Sequence, residues 1–149
     1  MKRNKRALTL LEIMVVIFII GIISTVIGVN MKGSLEEGKA FKSEKGSKQI
    51  YEILMLEISK GSIDPEDMNA SQIVEVVKSS GFTSDPEKLL QDGWGKPYQF
   101  FKTEDASDVR IVSDSFAQYL RKKGQKVSDI RKKYPWMDST GCIELNEAK

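Results

Sequence analysis

From Ile13 to Met31 the chain runs through 19 consecutive uncharged residues, nearly all apolar. At about 1.5 Å of rise per residue that is about 28 Å of helix, close to the ~30 Å hydrocarbon core of a bilayer. No other segment approaches this length, so the pattern predicts one spanning segment. Beyond residue 31 the apolar residues thin out and become periodic. In SKQIYEILMLEISKG, Ile50, Leu54 and Ile58 recur every four residues, with Tyr51 and Ile53 beside them. That is a helical stripe. Gly61 is a stop signal, and no proline occurs before Pro65. Residues 8–60 are therefore expected to form one helix about 80 Å long. Gly28, Gly33, Gly38 and Gly46 weaken its middle by roughly 1 kcal/mol each relative to alanine, which predicts bending or local melting there.

Shorter elements follow. NASQIVEVVKSSG predicts a helix from about Ser71 to Ser80, ended by Gly81. In SDPEKLLQD, Asp85 is placed to cap and Pro86 to open one short helical turn. KPYQFF and DVRIVSD read as strands joined by the polar turn KTEDAS, with Val109, Ile111 and Ser113 alternating with Arg110, Val112 and Asp114. GCIEL offers a third strand, and FAQYLRKKGQKVSDIRKKYPW reads as short helix, loop, short helix. The expected class is α+β. A long N-terminal hydrophobic helix carries a small helical segment and a short antiparallel sheet on its C-terminal half. Four parts are expected: a basic leader (1–7), a membrane helix (8–31), its continuation (32–60) and a globular head (61–149).

Charge adds an orientation. Lys2, Arg3, Lys5 and Arg6 precede the apolar run and should stay cytoplasmic, so the head faces the other side. The chain has 23 basic and 21 acidic residues; without residues 1–7 the balance is 19 to 21. The basic character thus belongs to the leader, and nucleic-acid binding has no support. There is no histidine and one cysteine, Cys142, so no internal disulfide forms and the commonest general base and zinc ligand is missing. No catalytic motif stands out, and neither an enzyme nor a cofactor is expected.

One residue breaks the apolar pattern: Glu12, with no basic group nearer than Arg6. An ordinary signal peptide fits poorly, because the run is too long and STVIGVN lacks a small-residue cleavage site. A plain signal anchor explains the length but not the acid. The stretch Lys5, Arg6, Ala7, then LTLLEIMVVIFIIGIIS, resembles the class III leader of type IV pilins and pseudopilins. Ala7 stands where that family usually has glycine and Leu8 where it usually has phenylalanine. The resemblance implies cleavage between Ala7 and Leu8 and N-methylation of Leu8. The new terminal ammonium lies four residues from Glu12, on the same helix face. A carboxylate in the bilayer costs roughly 2.5 to 3.5 kcal/mol on insertion scales. Pairing with the ammonium of its own chain or of a neighbour offsets this, and makes Glu12 an assembly determinant. The plainer alternative is that Glu12 lies at headgroup level and contacts water.

A narrower resemblance lies in LLQDGWGKPYQF, which is similar to the Asp-x-Trp-Gly-x-Pro-Tyr segment of the major pseudopilin of type II secretion systems. Its structural residues here are Asp92, Trp94, Gly95, Pro97 and Tyr98. Gly93 and Gly95 permit a tight turn, Pro97 stiffens the start of a strand, and Trp94 and Tyr98 supply core area with a polar tip. The plainer reading is an aromatic turn of the kind many small domains contain. In that family a loop after the strand helps to hold calcium. Here VRIVSDSFAQYLRKKG follows. Asp114 sits near the loop's start, but Phe116, Tyr119, Leu120 and Arg121 do not suit a cation needing six to eight oxygens. The calcium site is expected to be lost or remodelled, and no metal is expected.

Other segments read plainly. Asp64, Glu66 and Asp67 could hold a cation but read as a solvated turn, RKKGQKVSDIRKK could touch phospholipid or an acidic partner but reads as a solvated surface, Cys142 reads as a half-buried strand residue, and Asn69-Ala70-Ser71 fits a glycosylation sequon but reads as a helix start. The resemblance implies a major pseudopilin in the inner membrane, with its head in the periplasm. It would assemble with itself and with minor pseudopilins into a filament driving protein export. Its other implied partners are the prepilin peptidase, the assembly platform and the lipid bilayer. The alternatives are a type IV or competence pilin, and a signal-anchored periplasmic protein with a binding or enzymatic head.

Overall fold

Helix α1 runs Leu10–Ser59, 50 residues, in the computed structural model, which describes residues 9–145. It ends where Gly61 was expected to end it. Gly61 adopts a φ of 73°, the Ser62 N–H donates to the Glu57 carbonyl at 3.0 Å, and the Gly61 N–H donates to that of Ile58 at 2.9 Å. This is a Schellman stop, in which glycine takes the left-handed turn without a Cβ penalty.

The chain divides into two units, one up to Glu36 and one from Glu37. In the first, the large apolar side chains of α1 from Leu10 to Ile27 are about half exposed or more. The polar side chains among them are satisfied within the helix. Ser24 donates to the Ile20 carbonyl and Thr25 to that of Ile22, both at 2.7 Å. Satisfied hydroxyls and a continuous backbone ladder are what a helix needs in a medium without water.

In the second unit the rest of α1 is joined by α2 (Ala70–Ser79), α3 (Pro86–Leu89), β1 (Gln99–Thr103), β2 (Val109–Val112), α4 (Asp114–Lys122), α5 (Val127–Lys133) and β3 (Cys142–Glu144). A single 3-10 turn, Pro135–Met137, precedes β3. The three strands form an antiparallel sheet in the order β2-β1-β3, with Phe100 opposite Ile111 and Lys102 opposite Ile143. The α+β class and the three strands match expectation. The helix expected from Ser71 begins one residue earlier, because Asn69 is its cap: its side chain accepts from the Gln72 N–H, and Gln72 reaches back to the Asn69 N–H. Asp85 caps α3 by accepting the Lys88 N–H at 3.2 Å, with Pro86 at the first position of the helix.

Two apolar clusters hold this unit. The larger joins Ile50 and Leu54 of α1 to Met68, Ile73, Val77, Tyr98, Phe100, Val109, Ile111 and Leu145. The alternation read in the second strand is the burial pattern: Val109, Ile111 and Ser113 are buried, whereas Arg110 and Val112 are not. The smaller cluster gathers Phe116, Leu120 and Tyr134 around Ala40, with Trp94, Tyr119 and Trp136 beside them. Its rings meet edge to face, Phe116 with Tyr134 at 5.3 Å and Tyr134 with Trp136 at 5.9 Å between centroids.

Candidate functional site

Two sites carry the residues singled out above. At the first, Ala7 and Leu8, the expected cleavage and methylation positions, lie outside the described residues. Thr9 and Glu12 are described, and they cap each other. The Thr9 N–H donates to Glu12 Oε2 at 3.1 Å, and the Glu12 N–H donates to Thr9 Oγ1 at 3.3 Å. Thr-Leu-Leu-Glu is thus a capping box, and the carboxylate sits at the positive end of the helix dipole. This local role for Glu12 was not read from the sequence, although the spacing Thr-x-x-Glu announces it. It leaves room for the other role. A carboxylate offers about four acceptor positions, so a box that uses Oε2 does not prevent an ammonium from approaching. The helix that follows is long and apolar enough to cross a membrane, with a mean hydropathy of 2.8 over its most apolar window and none of that window buried.

The second site is the loop Asp92–Tyr98. Asp92 is 1 % exposed. Its Oδ1 accepts the N–H groups of Trp94 and Lys96, each at 2.9 Å. Its Oδ2 accepts the Ser113 hydroxyl at 2.7 Å. Ser113 in turn accepts the Phe116 N–H at 3.1 Å and so caps α4. One carboxylate therefore closes the loop on itself and ties it to the end of β2 and the start of α4. Gly95 turns the loop with a φ of 79°, and Pro97 forms an isolated bridge with Gln91.

The loop docks on a face of α1 made of small residues. The Gly93 N–H donates to Ser43 Oγ at 2.8 Å, and the Tyr98 hydroxyl donates to the Ser43 carbonyl at 3.0 Å. A Cβ on Gly93 would stand 1.9 Å from the Lys39 carbonyl oxygen, and one on Gly46 would stand 2.8 Å from the Tyr98 hydroxyl. Gly46, which reads as a weak point of the helix, is the gap into which Tyr98 fits. Trp94 reaches the smaller cluster, 6.0 Å from Tyr119. The structure thus brings Asp92, Trp94, Gly95, Pro97 and Tyr98 into one docked loop, at a remove in the chain from Glu12. Sequence reasoning missed Ser43, Ser47 and Ser113. The signal for the first two was a run of small residues, Ala40, Ser43, Gly46 and Ser47, at helical spacing.

The donor chemistry does not fit a calcium ion. Asp92 is occupied by two N–H groups and a hydroxyl, all donors, where a cation would need lone pairs. Asp114 lies exposed in the first turn of α4, the first of the two short helices expected in this segment. Among the described residues no group of three or more His, Cys, Asp or Glu side chains is placed to share an ion. Burial, and then the charge of Asp92, raises the Tyr98 phenol well above its ordinary value, and burial pushes the Cys142 thiol up. Both are held in the neutral, unreactive form.

The prokaryotic N-terminal methylation motif matches residues 2–28. A protein of Chlamydia muridarum named "Putative outer membrane protein" is 34% identical over 112 residues, which cover 75% of this chain and 90% of the relative. A Chlamydia pneumoniae protein of the same description is 36% identical over 125 residues, covering 83% of this chain and all of the relative. One from Chlamydia trachomatis is 33% identical over 112 residues, 75% of this chain and 90% of the relative. No solved structure matches the chain.

Proposed function

We propose, from the premise that this chain belongs to the family of those three chlamydial proteins and carries the N-terminal methylation motif that marks type IV pilin-like proteins, that it is a filament subunit stored in a membrane. The single observation that carries this reading is the match at residues 2–28, which spans the basic leader, Thr9 and Glu12, and the exposed apolar part of α1. The finer reading is a major pseudopilin of a type II secretion system. It is cut after Ala7, methylated on Leu8, held in the inner membrane with its head in the periplasm, and packed helix on helix into a short filament that moves exported proteins. Glu12 sets the axial register against the terminal ammonium of a neighbour, while its bonds to Thr9 hold the carboxylate ready. The Asp92 loop shapes the head and performs no chemistry.

Mass spectrometry of the mature N-terminus tests this. A chain beginning at N-methyl-Leu8 is expected; one beginning at Met1 or beyond Ser24 defeats the reading. A Glu12→Ala variant should insert and be cut but fail to enter filaments, and normal filaments from it refute the register role. The names of the relatives favour a second reading, residence at the outer membrane. Density fractionation of the two membranes separates the two.

A further inference from the structure

The segment RKKGQKVSDIRKK, residues 121–133, holds seven basic side chains against one acid, Asp129. By composition alone it is solvated surface. The structure gives it a position. Arg121 to Asp129 are exposed throughout, as are Arg131, Lys132 and Lys133. Helix α4 lies on the start of the second unit. Phe116 and Leu120 cluster with Ala40, and Lys123 pairs at 3.4 Å with Glu37, the first residue of that unit. Farther along α1, Trp136 donates its indole N–H to Ser47 at 3.0 Å, and Ile50 and Leu54 belong to the sheet's core. The end of α4 and the turn into α5 therefore form the edge of the head at which the chain from the apolar run arrives.

Chain length then limits how far this edge can be from the end of that run. Glu37 is six residues past Met31. These span at most about 20 Å however they run. The headgroup layer extends roughly 5 to 8 Å beyond the hydrocarbon, and charges are felt over a further ~8 Å at physiological salt. Within the segment Lys123 is matched by Glu37, and Arg131 by Asp138 at 3.4 Å. Arg121, Lys122, Lys126 and Lys132 make no ion pair among the described residues. Val127, half exposed at the first position of α5, adds an apolar side chain to the patch.

We propose that this basic edge docks on the anionic phospholipid headgroups of the membrane that the apolar helix crosses, and holds the head against the bilayer before assembly. The proposal rests on the membrane-anchored reading above. Lipid suits the patch better than an acidic protein. The charges are spread over two helices and the turn between them, and the tether keeps the headgroups at high effective concentration. The positive-inside tendency does not weigh against it, since that rule counts charges close to the span in sequence.

The full chain is reconstituted in vesicles of phosphatidylcholine alone and in vesicles with about one-third phosphatidylglycerol. Flotation scores insertion, and amide exchange read by mass spectrometry scores docking. The expected result is about tenfold slower exchange over residues 120–130 in the anionic vesicles at low salt, fading as salt rises. That protection should vanish in the combined variant Arg121→Gln, Lys122→Gln, Lys126→Gln, which changes exposed side chains and leaves insertion intact. Equal exchange in the two lipids with normal flotation overturns the proposal. So does protection that survives the combined variant, or protection that follows protein density instead of lipid charge, the mark of contact between copies. A chain that does not float defeats the anchored reading itself, which flotation reports independently of exchange.

Discussion

Between Leu10 and Ile27, helix α1 leaves every large apolar side chain exposed, whereas between Ala40 and Leu54 the same helix buries Ser43 and Ser47 as completely as Ile50. Hydropathy and burial are thus inverted along one element. The first stretch is apolar on all sides, and a solvent other than water, or copies of itself, must cover it. The second is a mixed face whose serines and glycine let another backbone come close, and its two large fully buried residues, Ile50 and Leu54, belong to the head's core. Greasiness marks where a helix meets something outside the chain; smallness marks where it meets its own chain. The first stretch is judged by insertion and assembly, the second by the melting of the head.

The largest effect that would break this contrast is steric. In Gly93→Val the new Cβ meets the Lys39 carbonyl, and the loop cannot dock. A loss of at least about 3 kcal/mol is expected, seen as the disappearance of a cooperative melt in detergent. Next is a matched pair. Leu54→Ala should lower the stability of the head by about 2 to 5 kcal/mol, while Ile17→Ala, equally apolar but 61% exposed, should leave that melt unmoved. Equal effects from the two would dissolve the distinction.

Asp92→Asn weakens three accepted hydrogen bonds at once and should cost roughly 2 to 3 kcal/mol by denaturant titration. Calcium added to the unaltered protein should leave its melt unchanged; a rise would contradict the account of this loop.

A pH profile is a finer test. The Tyr98 phenol is raised above its ordinary value of 10.0, chiefly by burial. Its folded form therefore binds the proton more tightly than its unfolded form. The contribution is fully present below about pH 10 and is lost as pH climbs above it. Stability should be flat through neutrality and fall on the alkaline side. Tyr98→Phe should cost about 1 kcal/mol at neutral pH and flatten that alkaline fall.

The smallest expected effect separates two glycines of α1. Gly38→Ala meets open space and should gain up to about 1 kcal/mol. Gly46→Ala meets the Tyr98 hydroxyl and should show no such gain.

Much of the fold was legible because its signals are local. Asn69 and Asp85 as caps, Pro86 at a first helical position, Gly61 and Gly81 as stops, and the alternation of Val109, Ile111 and Ser113 act within a few residues of themselves. The Thr9–Glu12 box is equally local, though the acid's isolation in an apolar run drew attention to its charge and away from its spacing. What stayed hidden was long-range. Ser43 lies 50 residues from Gly93 and 55 from Tyr98, and Ser113 lies 21 from Asp92. A serine in a polar helical stretch gives no sign that a distant loop will land on it.

By itself the sequence settled that one segment is long and apolar enough to span a membrane, and that an acid opens it at capping distance from a threonine. Composition and spacing along a single helix are enough for both. Only the tertiary structure decided which face of α1 receives the Asp92 loop, why Gly46 and Gly93 carry no side chain, and at which edge of the head the basic segment gathers. Each of these depends on close packing between residues far apart in the chain, and short-range patterning does not encode it.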